Sequence, residues 1–257
     1  MGENGFKAAL AGERMLVGCW LNMASGAAAE IAGAAGFDWV LIDGEHGPYD
    51  VAAIIEQLRI LAAFDVAVVV RVPVGEDWVI KQVLDMGARN ILVPMVETAE
   101  QARALVAATR YPPEGVRGLG ASVARVSSYG ADEGYVARAN GDIALIVQAE
   151  SVEALENLDE IAAVEGVDGV FIGPADLAAS MGYSGRSDVA EVEAAIAEAF
   201  VRIQGAGKAA GMLDFRAERV AAYRAAGVRM LAVTGDVAAL RGGLEQVCQA
   251  ARASAQG

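Results

Sequence analysis

The sequence predicts an α/β protein of the (β/α)8, or TIM, barrel class. Eight short apolar runs rich in β-branched residues recur along the 257 residues, as in a barrel of eight strands. An alanine-rich amphipathic segment follows most runs, and helices are expected to end at glycines such as Gly36, Gly87 and Gly227. Strands that are apolar on both faces and alternate with helices indicate a parallel sheet covered by helices.

The apolar runs are four to eight residues long, which suits buried strands. The predicted strands are MLVGCWL (15–21), WVLID (39–43), VAVVVRV (66–72), NILVPM (90–95), IALIVQAE (143–150), GVFIG (169–173), AAGML (209–213) and MLAV (230–233).

The segments between the runs show the spacing of amphipathic helices. The predicted helices are 26–36, 51–64, 77–88, 98–110, 191–207, 216–227 and 236–252. A long irregular stretch, residues 111–141, separates the fourth and fifth strands, and loops of that length are usually functional or interfacial. We expect one domain over residues 1–257, with its last helix packing on a neighbouring subunit.

A doubly wound sheet is the rival fold, but its first strand should lead into a glycine-rich phosphate loop. The turn after the first run reads NMASGAAAE and contains no GxGxxG pattern. The sequence therefore favours the barrel and predicts no nucleotide cofactor.

The composition limits the classes of partner. The chain is 55% hydrophobic and 21% charged, with a net charge of −14, which argues against nucleic-acid and anionic-membrane partners. Cys19 and Cys248 have no metal-ligand or disulfide spacing. The N-terminal residues show neither a secretory h-region nor a myristoylation pattern, and no apolar run reaches membrane-spanning length. We expect a cytoplasmic protein.

Active sites of such barrels lie at the C-terminal ends of the strands. Polar residues follow five of the predicted strands there, and one of them is the only histidine of the chain. They are Asp43, Glu45, His46, Arg71, Gln148, Glu150, Asp176 and Asp214.

Each of these residues also has a purely structural interpretation. A single histidine is more often structural than catalytic, and Arg71 could be an ordinary ion-pair partner. Asp176 could cap the following helix, and Glu150 could be favoured by the dipole of the next helix. The convergence of polar residues from different strands on one end of the barrel is harder to explain by structural roles than the position of any single residue.

Glu150 and Asp176, from neighbouring strands, suggest a divalent cation. With no second histidine or nearby cysteine, the oxygen ligands favour Mg²⁺, Mn²⁺ or a similar ion such as Co²⁺. A metal held by two protein ligands keeps positions open for substrate and acts as a Lewis acid. Schiff-base catalysis is the alternative, but none of Lys7, Lys81 and Lys208 follows a strand end.

Six segments together resemble the HpcH/HpaI aldolase family over nearly the whole chain, in order and at matching spacing. They are IDGEHGPYD, VVVRV, VLDMGARNILVPMVETAEQA, ATRYPPEGVRGLG, IVQAES and EGVDGVFIGPADLAASMG. The resemblance implies a metal-dependent class II pyruvate aldolase on a (β/α)8 barrel.

The resemblance also assigns roles. It implies metal ligands at Glu150 and Asp176, and substrate contacts at Arg71, Gln148, Asp176 and the backbone of Ala175. It implies that Arg71 stabilises the enolate, that His46 is the catalytic base and that Asp85 raises the basicity of the histidine.

The implied reaction is reversible cleavage of 4-hydroxy-2-oxo acids, such as 4-hydroxy-2-oxoheptanedioate, to pyruvate and an aldehyde. Hydroxypyruvate is a possible second donor, and the implied assembly is a homo-hexamer built as a trimer of dimers. Asp214 and Arg216, an acidic and a basic residue after the seventh strand, leave the identity of the aldehyde acceptor undetermined. Two alternatives are a citramalyl- or malyl-CoA-type lyase, for which no basic cluster is seen, and a non-catalytic barrel that binds an acidic metabolite.

Overall fold

The computed structural model describes residues 4–255, and within them eight parallel strands close into a barrel. The strands are β1 (Leu16–Leu21), β2 (Trp39–Asp43), β3 (Ala67–Arg71), β4 (Asn90–Val93), β5 (Ala144–Ala149), β6 (Gly169–Ile172), β7 (Ala209–Leu213) and β8 (Met230–Gly235). Each strand pairs with the next, and β8 pairs with β1. The predicted barrel is therefore confirmed, while residues 1–3 and 256–257 of the predicted domain lie outside the described residues.

Helices surround the barrel and connect its strands. They are α1 (Gly5–Leu10), α2 (Gly26–Ala34), α3 (Val51–Leu61), α4 (Asp77–Asp85), α5 (Ala99–Thr109), α6 (Tyr135–Asp142), α7 (Val152–Glu156), α8 (Leu158–Ala162), α9 (Pro174–Ser180), α10 (Ala190–Gly205), α11 (Val220–Ala225) and α12 (Asp236–Ala255). Gly36, Gly87 and Gly227 adopt the left-handed conformation expected after a helix end.

Alternate residues of each strand point into the barrel, as the two-residue period of a strand requires. The interior is filled by apolar side chains, among them Trp20, Trp39, Leu41, Val69 and Phe171. The indole of Trp39 occupies the space that Gly18 leaves open, because a Cβ at Gly18 would lie 2.1 Å from Trp39 Cε2. The barrel is thus a packed core at mid-height, and only its ends can hold a ligand.

Helix α1 covers the N-terminal end of the barrel. Its Phe6 and Leu10 are buried against the interior core. The ammonium group of Lys7 lies 2.9 Å from the Asp168 carboxylate, which precedes β6. The opposite end, where the strands terminate, is not covered by this helix.

The predicted strands agree closely with the observed ones. β2 and β7 have the predicted bounds, and the other strands differ by one or two residues at an end. The fourth strand stops at Val93 because Pro94 has no amide hydrogen for the ladder and Met95 turns to a φ of 54°.

The long segment between α5 and β5 lies at the N-terminal side of the barrel, away from the strand ends. This position follows because α5 returns the chain to that side and β5 starts there. The segment is less irregular than its sequence predicts, since it contains α6 and two 3₁₀ turns. It packs around its own small core of Tyr111, Ala121, Val126, Tyr135 and Ala139.

None of the residues of helix α12 is buried within the described chain. Val237, Leu240, Leu244 and Val247 are each exposed by 47% to 69%, and their spacing places them on one face. That this face packs on a neighbouring subunit stays a prediction. None of the helices within residues 4–255 combines the length and hydropathy needed to cross a lipid bilayer.

Candidate active site

The candidate site lies at the C-terminal ends of the strands, where the inward-facing rows of side chains change from apolar to polar. Trp39 and Leu41 face the interior, and Asp43 continues that row at the end of β2. Val69 is followed in the same way by Arg71 at the end of β3. Asp43 and Arg71 are register partners in the sheet, so their side chains lie side by side.

Arg71 is buried and held by two carboxylates. Its Nε and Nη2 atoms donate to Asp43 Oδ1 and Oδ2, each at 2.8 Å. Its Nη1 atom lies 2.7 Å from Glu45 Oε2. The guanidinium carbon also lies 5.2 Å from the centre of the Trp20 ring, within the range of a cation–π contact. These contacts fix the orientation of a cation at the mouth of the barrel.

Asp43 connects the ends of three strands. Trp20 Nε1 donates to its Oδ2 at 3.0 Å and Asn22 Nδ2 donates to the same oxygen at 2.6 Å, both from the end of β1. The backbone amides of Glu45 and His46 donate to its Oδ1 at 3.2 Å. Burial opposes ionisation, but these hydrogen bonds and those from Arg71 together lower the pKa of Asp43 below its ordinary value.

Glu150 is buried just after β5, with 3% of its surface exposed. Its Oε1 accepts from the Met95 amide at 2.9 Å, and its Oε2 accepts from the Gln148 side chain. Burial, with the like charges of Asp176 and Glu45, raises the pKa of Glu150 to about 7, against the effect of the two hydrogen bonds. A structural interpretation would pair the Glu150 carboxylate with the dipole of the following helix, α7. Instead, the carboxylate bonds the Met95 amide just beyond the end of β4.

Asp176 lies in the first turn of α9 without capping it. Gly173 is the N-cap, and no side chain makes a capping hydrogen bond there. Both Ala175 and Asp176 are exposed at the mouth. The capping explanation for Asp176 therefore does not describe this structure.

The residues around Glu150 and Asp176 fit a divalent cation. Glu150 is a carboxylate whose burial and acidic neighbours oppose its charge, and a cation would relieve that cost. Gln148 Oε1 is buried and lacks a hydrogen-bond partner in residues 4–255. Gly173 preserves space here, since a Cβ would lie 2.2 Å from Glu150 Oε2. In the same part of the chain, no group of three or more His, Cys, Asp or Glu side chains is arranged as a metal site.

His46 lies in the turn after β2, with its side chain exposed to the mouth. Its backbone amide is anchored to Asp43. No hydrogen bond or ion pair of its imidazole is seen within the described range, residues 4–255. The ring is therefore placed where it can meet a substrate and an additional partner.

Asp85 is not brought to His46 within one chain. It is the last residue of α4, which runs from the strand ends back to the N-terminal side of the barrel. There its Oδ1 accepts from Arg117 Nη2 at 2.6 Å. The side chain of Arg117 is fully buried and also donates to the hydroxyl of Tyr135 at 3.2 Å. A dyad of Asp85 and His46 inside a single subunit is incompatible with this placement.

Asp214 also turns away from the mouth, contrary to its predicted place. Its carboxylate pairs with Arg216 at 2.8 Å and accepts from the Tyr223 hydroxyl at 2.7 Å. It thereby fixes the chain after β7 to α11. The three lysines lie elsewhere as well, with Lys208 Nζ donating to the carbonyls of Val164 and Val167.

Sequence reasoning missed Trp20, Asn22 and Met95 as parts of the site. The inward row of β1 passes through Trp20, so the alternation of that strand could have identified it. Asn22 follows directly after the strand. Met95 contributes only its backbone amide, for which the sequence carries no signal.

Two curated proteins are similar to this chain in sequence. A hydroxypyruvate/pyruvate aldolase of Agrobacterium fabrum is 55% identical over 235 residues, covering 91% of this chain and 88% of the relative. A 4-hydroxy-2-oxo-heptane-1,7-dioate aldolase of Escherichia coli is 46% identical over 254 residues, covering 99% and 96%.

A family protein of known structure is also similar. The crystal structure of an HpcH/HpaI aldolase/citrate lyase family protein from Burkholderia cenocepacia J2315 matches with a TM-score of 0.94 at 39% identity. The match covers 97% of this chain and 99% of that one. The model of the HpcH/HpaI aldolase/citrate lyase family matches residues 16–242, and this chain belongs to that family.

Proposed function

We propose that this chain is a class II aldolase that reversibly cleaves 4-hydroxy-2-oxo acids to pyruvate and an aldehyde. The observation that carries the proposal is the placement of Arg71, a buried cation held at the barrel mouth by Asp43 and Glu45. Glu45 in turn lies close enough to the candidate metal ligands Glu150 and Asp176 to interact with them electrostatically. A cation fixed in this way is suited to stabilise negative charge that develops on a substrate oxygen. The names of the similar proteins from A. fabrum and E. coli support the same reaction class.

Glu150 and Asp176 would hold the divalent cation, with Mg²⁺, Mn²⁺ and Co²⁺ as candidates. When bound, the cation supplies Lewis-acid polarisation of the 2-oxo group. The side chain of Gln148 and the backbone amide of Ala175 lie beside these carboxylates and are proposed to orient the 2-oxo acid.

His46 moves the proton in this mechanism. In the cleavage direction its imidazole takes the proton of the 4-hydroxyl, the C3–C4 bond breaks and the aldehyde leaves. Negative charge then develops on the oxygen at C2, and Arg71 faces that charge with the N–H groups that Asp43 does not occupy. In the synthetic direction the same base takes a proton from the methyl group of pyruvate.

Asp85 can assist His46 only from a second copy of the chain, because the two residues lie at opposite ends of one barrel. We propose that copies associate so that the Asp85 side of one subunit meets the mouth of another, within a homo-hexamer arranged as a trimer of dimers. The exposed apolar face of α12 would be covered in the same assembly. The cytoplasm is the proposed compartment, and residues 1–257 the proposed catalytic domain.

The donor and acceptor range can be tested together with the role of Arg71. Pyruvate and hydroxypyruvate are each incubated with a panel of aldehydes at saturating Mg²⁺ or Mn²⁺, and products are followed by chromatography. The wild type should form 4-hydroxy-2-oxo acids, and Arg71→Ala should lose roughly 100-fold or more in kcat, as when an oxyanion donor is removed. A change confined to KM would show that Arg71 only anchors the carboxylate of the substrate. Failure of the wild type to form product with every aldehyde of the panel would contradict the proposal.

A further inference from the structure

Arg71 has two carboxylate neighbours that hold it in different ways. Asp43 lies along the Nε–Nη2 edge and accepts two hydrogen bonds at 2.8 Å. Its side chain is 1% exposed, and Trp20 and Asn22 donate to it as well. Asp43 is therefore a fixed counter-ion that cannot leave the guanidinium without breaking a buried network.

Glu45 is held much less firmly. Its Oε2 lies 2.7 Å from Arg71 Nη1, and its side chain is 20% exposed. This oxygen is buried, yet among the described residues no group donates a hydrogen bond to it with acceptable geometry. The pair is thus a close contact of opposite charges without a directed hydrogen bond, and the hydrogens of Nη1 remain available to another acceptor.

The charges at the mouth make this second counter-ion unfavourable for an anionic ligand. Asp43 already balances the charge of Arg71, so the carboxylate of Glu45 adds a negative charge beside Glu150 and Asp176. Burial raises the pKa of Glu45, and the like charges of Asp43 and Asp176 raise it further. The positive charges of Arg71 and His46 act in the opposite direction, but the net effect is an increase. An arriving 2-oxo acid brings another negative charge and needs the N–H groups that Glu45 faces.

We propose that Glu45 is a displaceable counter-ion of Arg71, which yields Nη1 to an anionic oxygen of the 2-oxo acid and thereby weakens the binding of that anion. This inference rests on the proposed function, because it assumes that the substrate anion binds at Arg71. Glu45 is a positioning residue in this account: it keeps the guanidinium in place in the empty site and favours release of pyruvate. Asp43 has the opposite effect, since it orients Arg71 in every state.

The experiment measures pyruvate binding by isothermal titration calorimetry at saturating Mg²⁺, with metal saturation established for each variant by a separate titration. Glu45→Gln keeps the shape of the side chain and removes its charge, so the Kd for pyruvate should fall by about fivefold, as expected for removal of a nearby like charge. Glu45→Ala should act in the same direction. Asp43→Asn should raise the Kd, because Arg71 loses its fixed partner.

Glu76→Gln is the matched control. Glu76 is exposed at the start of α4, on the same end of the barrel, and makes no capping hydrogen bond. Its substitution should leave the Kd within about twofold, because an exposed charge at a distance is screened. If the wild type binds pyruvate and both Glu45 variants bind it with unchanged or weaker affinity, the inference about Glu45 is overturned while the proposed function stands. Absence of pyruvate binding by the metal-loaded wild type would overturn the inference and the proposed function together.

Discussion

Arg71 shows how far single residues could be predicted. Its place at the end of the third apolar run indicates an inward-facing cation, and the structure puts the buried guanidinium there. Its partners could be anticipated only partly, because Asp43 and Glu45 follow the neighbouring strand whereas Trp20 and Asn22 come from β1. Which side chains share a carboxylate depends on rotamers and on strand register, and neither can be derived from spacing alone.

Cys19 yields a prediction about pH at the same scale. Burial, with a smaller contribution from the charge of Asp236, raises the pKa of its thiol from 9.0 to about 11. The thiolate is disfavoured in the folded state, so this thiol stabilises the fold below about pH 9, and the contribution is lost as the pH rises towards 11. In a Cys248→Ala variant, iodoacetamide at pH 8 should modify Cys19 only after urea unfolding, as mass spectrometry would report. Rapid modification of the native protein would contradict this account of the site.

The strands and helices follow largely from local rules. Eight buried runs, helix-ending glycines and the absence of a phosphate loop are enough to select the barrel and most element bounds. The sequence does not predict α1 and α6, because α1 has only six residues and α6 ends in the poor helix-forming sequence Asn-Gly-Asp. These helices exist because Phe6, Leu10 and Tyr135 bury apolar surface, which is a tertiary effect.

Packing at the element scale makes Gly18 sensitive to substitution. Gly18→Ala should lower the free energy of unfolding by about 1–3 kcal/mol, because the added methyl group overlaps the Trp39 indole. Gly141→Ala is the control, since no atom lies within 4 Å of a Cβ there and α6 gains a better helix former. Urea denaturation of both variants measures the difference. Equal stability would mean that Trp39 moves aside without cost.

At the scale of the whole molecule, the proposed pairing of Asp85 with His46 requires two copies of the chain, because the two residues lie at opposite ends of one barrel. The sequence alone does not suggest such an arrangement, because a resemblance assigns roles without stating which subunit supplies each residue. The direction of α4 settles the point within one chain, since it carries Asp85 to the N-terminal side. This proposal makes association of subunits a condition for full activity.

Mixed oligomers test this condition. His46→Ala should lose about 100- to 10,000-fold in turnover, the range for a general base, and Asp85→Asn should also be impaired. Co-expression of the two variants should restore activity at roughly a quarter of the sites, where an intact His46 meets an intact Asp85 from another chain. A mixture of His46→Ala and Arg71→Ala is the control, because both residues belong to the same mouth and no site is repaired. If the mixture of His46→Ala and Asp85→Asn is no more active than the mixture of His46→Ala and Arg71→Ala, the proposed arrangement between subunits is contradicted.

The most direct test of the central claim is the metal dependence of aldol cleavage. Pyruvate release from a 4-hydroxy-2-oxo acid is measured before and after treatment with EDTA, and again after addition of Mg²⁺, Mn²⁺ or Co²⁺. Turnover should fall to background in the chelator and return with the metal, whereas Glu150→Gln should stay near background at metal concentrations that saturate the wild type. Full turnover in EDTA, or a covalent pyruvate adduct trapped by borohydride, would contradict the account.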